Sequence, residues 1–402
     1  MLFAAVYGHG YARLEMNRIE AMIHDLEGRI GRWGAAIVIT IFIALVACVL
    51  AYPATIWTAW RGDMANSSIY FRFVNSYLPI SADPLNVRIT DPDWQMTRQR
   101  VLGPLIAYAL HMRGRSSVLI SPLSNLFIYF FTYTWLRKRT QAATAFATAL
   151  VLSLTLSCVS SQELPAFQDS LANLFLLLAL FLSSPPISAA SIFVGMLADE
   201  RIFAAAGLVL LWHWILNPQG GKRDFWIRCA WLAGAAMMYA VFFLILKHHV
   251  GIDVVAARKE AFADFRTFRL NIWLGWYFGL RGAWILVVAL GLFWLDTGRK
   301  ILVIGLLAAL MPVMGSSLTV QDISRVSSIA FVAFLVAVVG LFRQRPILAN
   351  HLLIAAMIVQ IFTPIWTVVA LQHRTFQPLP LILLDELVPK LPSGSHPATM
   401  PG

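Results

Sequence analysis

WGAAIVITIFIALVACVLAY, residues 33–52, is an apolar stretch without a single charged side chain. As a helix it would rise about 30 Å, which matches the thickness of the hydrocarbon core of a bilayer. The rest of the chain has the same character: 59% of the 402 residues are hydrophobic, 13% are charged, and the mean hydropathy is +0.72. A soluble domain cannot cover so much apolar surface, whereas lipid solvates it. The sequence therefore predicts a polytopic membrane protein made of helices.

Further apolar stretches follow and predict an all-α bundle of about 11 spans. The three stretches between residues 169 and 217 are short, which predicts tilted or broken helices there. The stretches are 117–136, 141–159, 169–183, 187–199, 202–217, 226–246, 272–296, 300–316, 325–342 and 350–371.

Clusters of basic residues recur between these stretches, and each cluster falls on the same predicted side. By the positive-inside rule that side is cytoplasmic, which places the N-terminus in the cytoplasm. The expected location is the plasma (inner) membrane. The net charge of +11 is then a topology signal, and a nucleic-acid partner is not expected. The basic groups are Arg13, Arg18, Arg29 and Arg32, then Arg137-Lys138-Arg139, Lys222-Arg223 with Arg228, Arg299-Lys300, and Arg343 with Arg345.

The chain divides into three parts by composition. Residues 1–32 alternate apolar and charged positions at helical spacing, which predicts an amphipathic helix on the cytoplasmic surface. Residues 33–371 form the membrane domain, including a long outer loop at 53–116, and residues 372–402 form a short extracytoplasmic tail. Within the outer loop, 101–112 is apolar but too short to span, so it predicts an interfacial helix.

Charged residues also occur at the outer ends of the predicted spans. Charges at membrane depth are costly unless they pair or face water, so these residues are expected to share one aqueous cavity. Six of them have a plainer alternative: Asp63 and Asp169 as helix caps, Arg98 and Arg100 as snorkelling arginines, Asp322 with Arg325 as a structural ion pair. The full set is Asp63, Arg98, Arg100, Asp169, Glu200, Arg201, Asp322 and Arg325.

Three short motifs resemble those of the GT-C superfamily of integral-membrane glycosyltransferases, which includes protein mannosyltransferases and lipid A aminoarabinose transferases. Arg98-Gln99-Arg100-Val101-Leu102-Gly103-Pro104-Leu105 is similar to an R-x-R-hydrophobic-x-P-L element that lies in the family's first outer loop, before the second span. Pro165-Ala166-Phe167-Gln168-Asp169-Ser170-Leu171-Ala172 resembles its element with an aspartate at the outer end of a helix, and Leu197-Ala198-Asp199-Glu200-Arg201 occupies the place of a third. The resemblance covers residues 33–217 best.

The resemblance implies transfer of a sugar from a polyprenyl-phosphate-linked donor to a glycan, lipid or protein acceptor on the outer face. Asp63 would act as general base, and Arg98, Arg100, Arg201 and Arg325 would bind the donor phosphate. Two features depart from the family pattern: Asp63 has no acidic neighbour, and no large soluble domain follows the last span. No metal cofactor is expected, although the acidic residues leave one possible. The supporting or sugar-binding residues would be Asp169, Glu200, Asp322, Trp60 and Tyr70.

A transporter or flippase for a lipid-linked or anionic substrate is the alternative, using the same arginines without chemistry. Transport requires polar residues across the whole membrane depth, and the inner half of the predicted spans reads as apolar. A non-catalytic scaffold in an envelope-polysaccharide complex is a third possibility. The sequence leaves the donor sugar, the acceptor and the oligomeric state open, and membrane lipids are the expected surroundings.

Overall fold

A computed structural model describes residues 2–51, 56, 77–88, 98–112, 114–163, 168–216, 221–251, 272–318, 323–369 and 372–376. This part of the chain is almost entirely helical, as the composition predicts. The α-helices are α1 Leu2–Leu50, α2 Leu78–Ala82, α3 Leu102–Ala109, α4 Ile120–Arg137, α5 Ala142–Ser153, α6 Leu156–Glu163, α7 Asp169–Phe181, α8 Pro185–Ala198, α9 Ala206–Leu216, α10 Gly221–Val250, α11 Ile272–Leu280, α12 Trp284–Asp296, α13 Lys300–Ser317, α14 Ile323–Ser327, α15 Phe331–Gln344 and α16 Pro346–Phe362.

Five helical stretches in the described chain are long and apolar enough to cross a membrane. Large apolar side chains remain exposed along them, such as Met237 and Ile304, which is the surface that lipid covers. These features fit a membrane protein. The five stretches are Leu14–Leu50, Gly221–Val250, Ile272–Asp296, Lys300–Ser317 and Ile323–Gln344.

The first helix joins the predicted amphipathic segment to the first predicted span. Its only interruption is Gly31, whose φ of 74° and ψ of 164° lie outside the helical region, one residue from the predicted boundary. Before that break, Glu27 pairs with Arg137 at 2.9 Å, and Glu20 accepts a hydrogen bond of 2.6 Å from the backbone N–H of Ala143. The amphipathic segment is therefore held against α4 and the first turn of α5.

The helix directions give the bundle two distinct ends. At the end that we call the basic end, Arg137 closes α4, Arg343 near the end of α15 donates to the carbonyl of Ile215, and Arg228 in α10 donates to the carbonyl of Ser183. Ser183 follows the last turn of α7, so Asp169, the first residue of α7, lies at the opposite end. Arg137, Arg228 and Arg343, from three of the basic groups that the sequence singles out, thus share one end of the molecule.

Two predicted spans differ from the structure. The stretch 141–159 is not one helix, because the chain turns at Leu154 and Thr155 between α5 and α6. The stretch 350–371 ends as a helix at Phe362, and strands β1 Ile365–Val369 and β2 Gln372–Phe376 form an antiparallel hairpin, with Trp366 opposite Thr375. The all-α prediction holds for the bundle, and this hairpin is an exception within the described residues; its β-branched and aromatic residues favour strands over helix.

Glycines allow the helices at the centre of the bundle to approach closely. A Cβ on Gly275 would come within 2.6 Å of the Ile323 side chain, and one on Gly282 would meet the carbonyl oxygen of Ala356. Small residues at regular helical spacing commonly allow such contacts between membrane helices. They bring α11 against α14, and so fix where the charged end of the Ile323–Gln344 helix lies.

Candidate functional site

Charged side chains from four separate segments meet at the end of the bundle opposite the basic end. The segments are the residues before α3, the start of α7, the turn after α8, and α14. We call the group the charged cluster. Its members are Arg100, Asp169, Asp199, Glu200, Arg201 and Arg325.

Asp199 and Arg201 form the centre of the cluster. The chain leaves α8 at Ala198, and Asp199 takes an extended conformation before the short 3₁₀ turn Glu200–Ala205. Its carboxylate accepts three hydrogen bonds from Arg201: one of 3.1 Å from the backbone N–H, one of 2.7 Å from Nε and a third from Nη2. Asp199 therefore caps the turn and also binds the Arg201 guanidinium in a bidentate ion pair.

Arg100 approaches the same carboxylate from the segment before α3. Its Nη2 lies 3.5 Å from Oδ1 of Asp199, and its Nε lies 3.4 Å from Oε2 of Glu200. Gln168 fixes the backbone beside it, donating 2.7 Å to the carbonyl of Arg100 and accepting 2.7 Å from the N–H of Gly103. The Gln168 amide thus holds the Arg100 segment against the start of α7.

Asp169 joins the cluster to α14. Its two carboxylate oxygens lie 3.6 Å from Nη2 of Arg201 and 3.4 Å from Nε of Arg325. The hydroxyl of Ser160, in α6, donates a hydrogen bond of 3.3 Å to the same carboxylate. Asp169 is therefore shared between two arginines that are far apart in sequence.

The cluster is buried and closely packed. The side chain of Asp199 is 3% exposed and that of Arg201 is 9% exposed, while Glu200 is the most open member at 25%. The space among Asp169, Asn173 and Arg325 leaves only about 10 Å³ for the centre of a water molecule, which suffices for about one water. Among the described residues, the arginines of the cluster are enclosed by carboxylates, and the space between them is no larger than this.

The charges of the cluster balance within the described residues, with three arginines against three carboxylates. Burial lowers the pKa of Arg100, but the carboxylates of Asp199 and Glu200 outweigh it and leave that pKa above its ordinary value. Burial also lowers the pKa of Arg201, and Asp199, which pairs with it most closely, raises it well above the ordinary value. Both guanidinium groups are therefore fully charged.

The structure brings together several of the residues that the sequence singles out. Arg100, Arg201, Arg325, Asp169 and Glu200 all belong to the charged cluster. Asp63, Asp322, Trp60 and Tyr70 lie outside the described residues.

Arg98 makes its contacts elsewhere. Its guanidinium donates 2.9 Å hydrogen bonds to the carbonyls of Pro84 and Val87, which hold the turn after α2, and the residue is 1% exposed. Burial lowers its pKa, partly offset by the nearby Asp83 carboxylate. The structure therefore gives Arg98 a role in holding the backbone at Pro84 and Val87, whereas its neighbour Arg100 reaches the charged cluster.

Two members of this site are missing from the sequence-based set of site residues. Asp199 is the most connected carboxylate, and its position just after an apolar helix and before a charged pair is an N-cap signal that could have identified it. Gln168, which joins two segments through its amide, precedes α7 in the same motif as Asp169. Because the Gln168 side chain is neutral, the sequence gives no comparable signal that it belongs to the site.

Within the described residues no group of three or more His, Cys, Asp or Glu side chains is placed to hold a metal ion. Comparisons of the chain with protein-family models, curated proteins and solved structures found no match. The arrangement itself is thus the basis for a functional interpretation: a buried, charge-balanced set of arginines and carboxylates at one end of an apolar helical bundle.

Proposed function

We propose that this protein is an integral-membrane glycosyltransferase that moves a sugar from a polyprenyl-phosphate-linked donor to an acceptor on the outer face. The observation that carries the proposal is the convergence of Arg100, Arg201 and Arg325, from three distant segments, around Asp169 and Asp199. Planar guanidinium groups suit two-pronged binding of phosphate. The resemblance of the surrounding motifs to GT-C enzymes supports the same chemistry.

The reaction is a direct displacement at the anomeric carbon. The acceptor hydroxyl attacks, the bond from that carbon to the phosphate oxygen breaks, and Asp63 takes the hydroxyl proton. Arg100, Arg201 and Arg325 stabilise the negative charge that develops on the leaving lipid phosphate. No step requires a metal or another cofactor.

Donor binding requires an exchange of anions in the cluster. Glu200 is the carboxylate most easily released, because its contacts with Arg100 are long, at 3.4 and 3.5 Å, and its side chain is the most exposed in the cluster. The donor phosphate would replace the Glu200 carboxylate and accept the same two hydrogen bonds from Arg100. Asp199 stays in place and holds Arg201.

The proposed orientation has the basic end in the cytoplasm and the charged cluster on the outer side. The apolar helices too short to span alone, α5, α7, α8 and α16, would complete the bundle as tilted or broken crossings, giving a count near the predicted 11. The amphipathic half of α1 then lies on the cytoplasmic surface.

Cysteine labelling tests this orientation. In a variant lacking Cys48, Cys158 and Cys229, Ala82→Cys should react with a membrane-impermeant maleimide in intact cells, and Lys222→Cys should react only after permeabilisation. Both positions are exposed, and they lie at opposite ends of the bundle. The reverse labelling pattern would place the charged cluster inside and remove the proposed site with it.

Turnover with radiolabelled polyprenyl-phosphate sugars tests the chemistry. Asp63→Asn should keep donor binding and lose about 10²–10⁴-fold in rate, since that is the usual contribution of a general base. Arg100→Ala should weaken both donor binding and turnover, because a phosphate contact acts in the ground state and the transition state. Arg100→Lys keeps the charge but cannot bind phosphate in a bidentate manner. Its donor affinity and turnover should lie between those of Arg100→Ala and the wild type.

Arg98→Lys is the matched control, because Arg98 contacts backbone carbonyls and not the cluster. It should leave donor affinity close to that of the wild type. A transporter predicts a different set of results: substrate flux without release of polyprenyl phosphate, and little response to Asp63→Asn. Full turnover by Asp63→Asn would remove Asp63 from the mechanism.

A further inference from the structure

One helix of the bundle carries polar side chains along most of its length. Asn125, Tyr129 and Tyr133 are spaced by four residues on α4, so they project from neighbouring turns of one face, and Thr132 lies beside the last of them. Each is at most 1% exposed. We call these four residues the polar seam. α4 has 18 residues and a length of about 27 Å, and it is not among the five apolar stretches.

The polar atoms of the seam are poorly satisfied by protein groups. Among the described residues, Oδ1 of Asn125 and the hydroxyls of Thr132 and Tyr133 have no hydrogen-bond partner. The Tyr129 hydroxyl lies beside the thiol of Cys158, which is a weak partner. Buried polar atoms in proteins almost always pair with protein groups or ordered water.

The seam reaches toward both charged ends of the bundle. At the basic end, the Tyr133 hydroxyl lies within electrostatic range of the Glu27–Arg137 pair. At the other end, the Asn125 amide donates 2.8 Å to the carbonyl of Cys158 in α6. The same helix supplies Ser160, which donates to Asp169 in the charged cluster.

The spacing of the seam fits a chain of water molecules. Residues four apart on a helix are about 6 Å apart along its axis, roughly twice the 2.8 Å of an O–H···O hydrogen bond. The rise between successive side chains therefore matches the length of one bridging water. Waters in such a site would satisfy Asn125, Thr132 and Tyr133 together.

We infer that the polar seam holds ordered water and conducts protons between the Glu27–Arg137 pair and Asp169. Each water and hydroxyl in the chain accepts a proton on one side and donates one on the other, so one proton crosses with no net change in the seam and no co-reactant. This inference does not depend on glycosyl transfer. In the proposed enzyme the path would return the proton released by the acceptor, and in a transporter it would couple flux to a proton gradient.

Proton flux in liposomes tests the path. Full-length protein in vesicles with an internal pH dye should acidify or alkalise the lumen under an imposed potassium diffusion potential, several-fold faster than empty vesicles. The double variant Tyr129→Phe, Tyr133→Phe should lose this flux to the level of empty vesicles. Trp294→Phe is the matched control, because Trp294 is also buried with an unpartnered polar atom among the described residues, its Nε1, but it lies on α12 outside the seam. It should conduct like the wild type.

Radiolytic footprinting checks hydration independently of flux and of variant folding. Hydroxyl radicals formed from bound water should oxidise Tyr129 and Tyr133 in the wild-type protein, and should spare Phe334, which is also fully buried. The path is supported if both tyrosines are oxidised and if the wild-type protein conducts protons faster than empty vesicles. Unlabelled tyrosines, flux no faster than empty vesicles, or equal loss of flux in Trp294→Phe would each overturn it.

Discussion

Asp199→Asn will destabilise the protein by about 3–5 kcal/mol, because it removes one partner of a buried ion pair and leaves the other charge uncompensated. The Asp199 carboxylate holds Arg201 through three hydrogen bonds and also lies 3.5 Å from Arg100. Asparagine caps helices about as well as aspartate, so the loss of stability measures the contribution of the Asp199 charge alone. Thermal unfolding in detergent, followed by circular dichroism, measures it.

Glu200→Gln is the matched control, since it makes the same chemical change one residue later. The Glu200 side chain is 25% exposed and its contacts with Arg100 are long, so its removal should cost no more than about 1 kcal/mol. Equal losses in the two variants would show that Asp199 does not hold the cluster together. A stable Asp199→Asn protein would have the same consequence.

Gly282→Ala will destabilise the protein by about 1–3 kcal/mol, the usual cost of overpacking a well-filled interior. The new Cβ would meet the carbonyl oxygen of Ala356 and come within 2.9 Å of Cβ of Val359, and backbone atoms of α16 cannot move aside cheaply. The neighbouring Arg281 ties the same helix down through the carbonyls of Gln360 and Thr363. Thermal unfolding in detergent again gives the comparison.

Gly291→Ala provides the control with the opposite sign. Gly291 lies in α12, and a Cβ there would have nothing within 4 Å. Alanine is favoured over glycine inside a helix by about 0.5–1 kcal/mol, so this variant should be equal to or more stable than the wild type. A loss of stability as large as that of Gly282→Ala would contradict the close approach of the helices.

Hydropathy predicts the helices well where an apolar run is long and uninterrupted. The break near Gly31 falls within two residues of the predicted boundary at 32, because it lies where a charged segment meets an apolar one. The turn at Leu154 and Thr155 was not predicted, since the residues on both sides are equally apolar. Carbonyls freed there are satisfied from distant segments: Arg281 donates to the carbonyl of Leu154.

The polar seam shows a second limit of hydropathy. The inner half of the predicted spans reads as apolar, yet Thr132 and Tyr133 are buried beside the basic end. Isolated hydroxyls lower the mean hydropathy of a span very little. Their burial on one face of α4 becomes visible only once the neighbouring helices are in place. Low hydropathy contrast in the predicted inner half therefore counts less against transport than the sequence alone suggests.

The sequence by itself determined the class of molecule, the approximate position of most helices and the grouping of basic residues, because length, polarity and charge along a segment are local properties. Only the tertiary structure decided which charges meet. Arg98 and Arg100 are indistinguishable as sequence, but one donates to backbone carbonyls and the other reaches Asp199 and Glu200. The physical reason is distance: an ion pair forms only within about 4 Å, and the packing of segments 100 residues apart, as for Arg100 and Glu200, sets that distance.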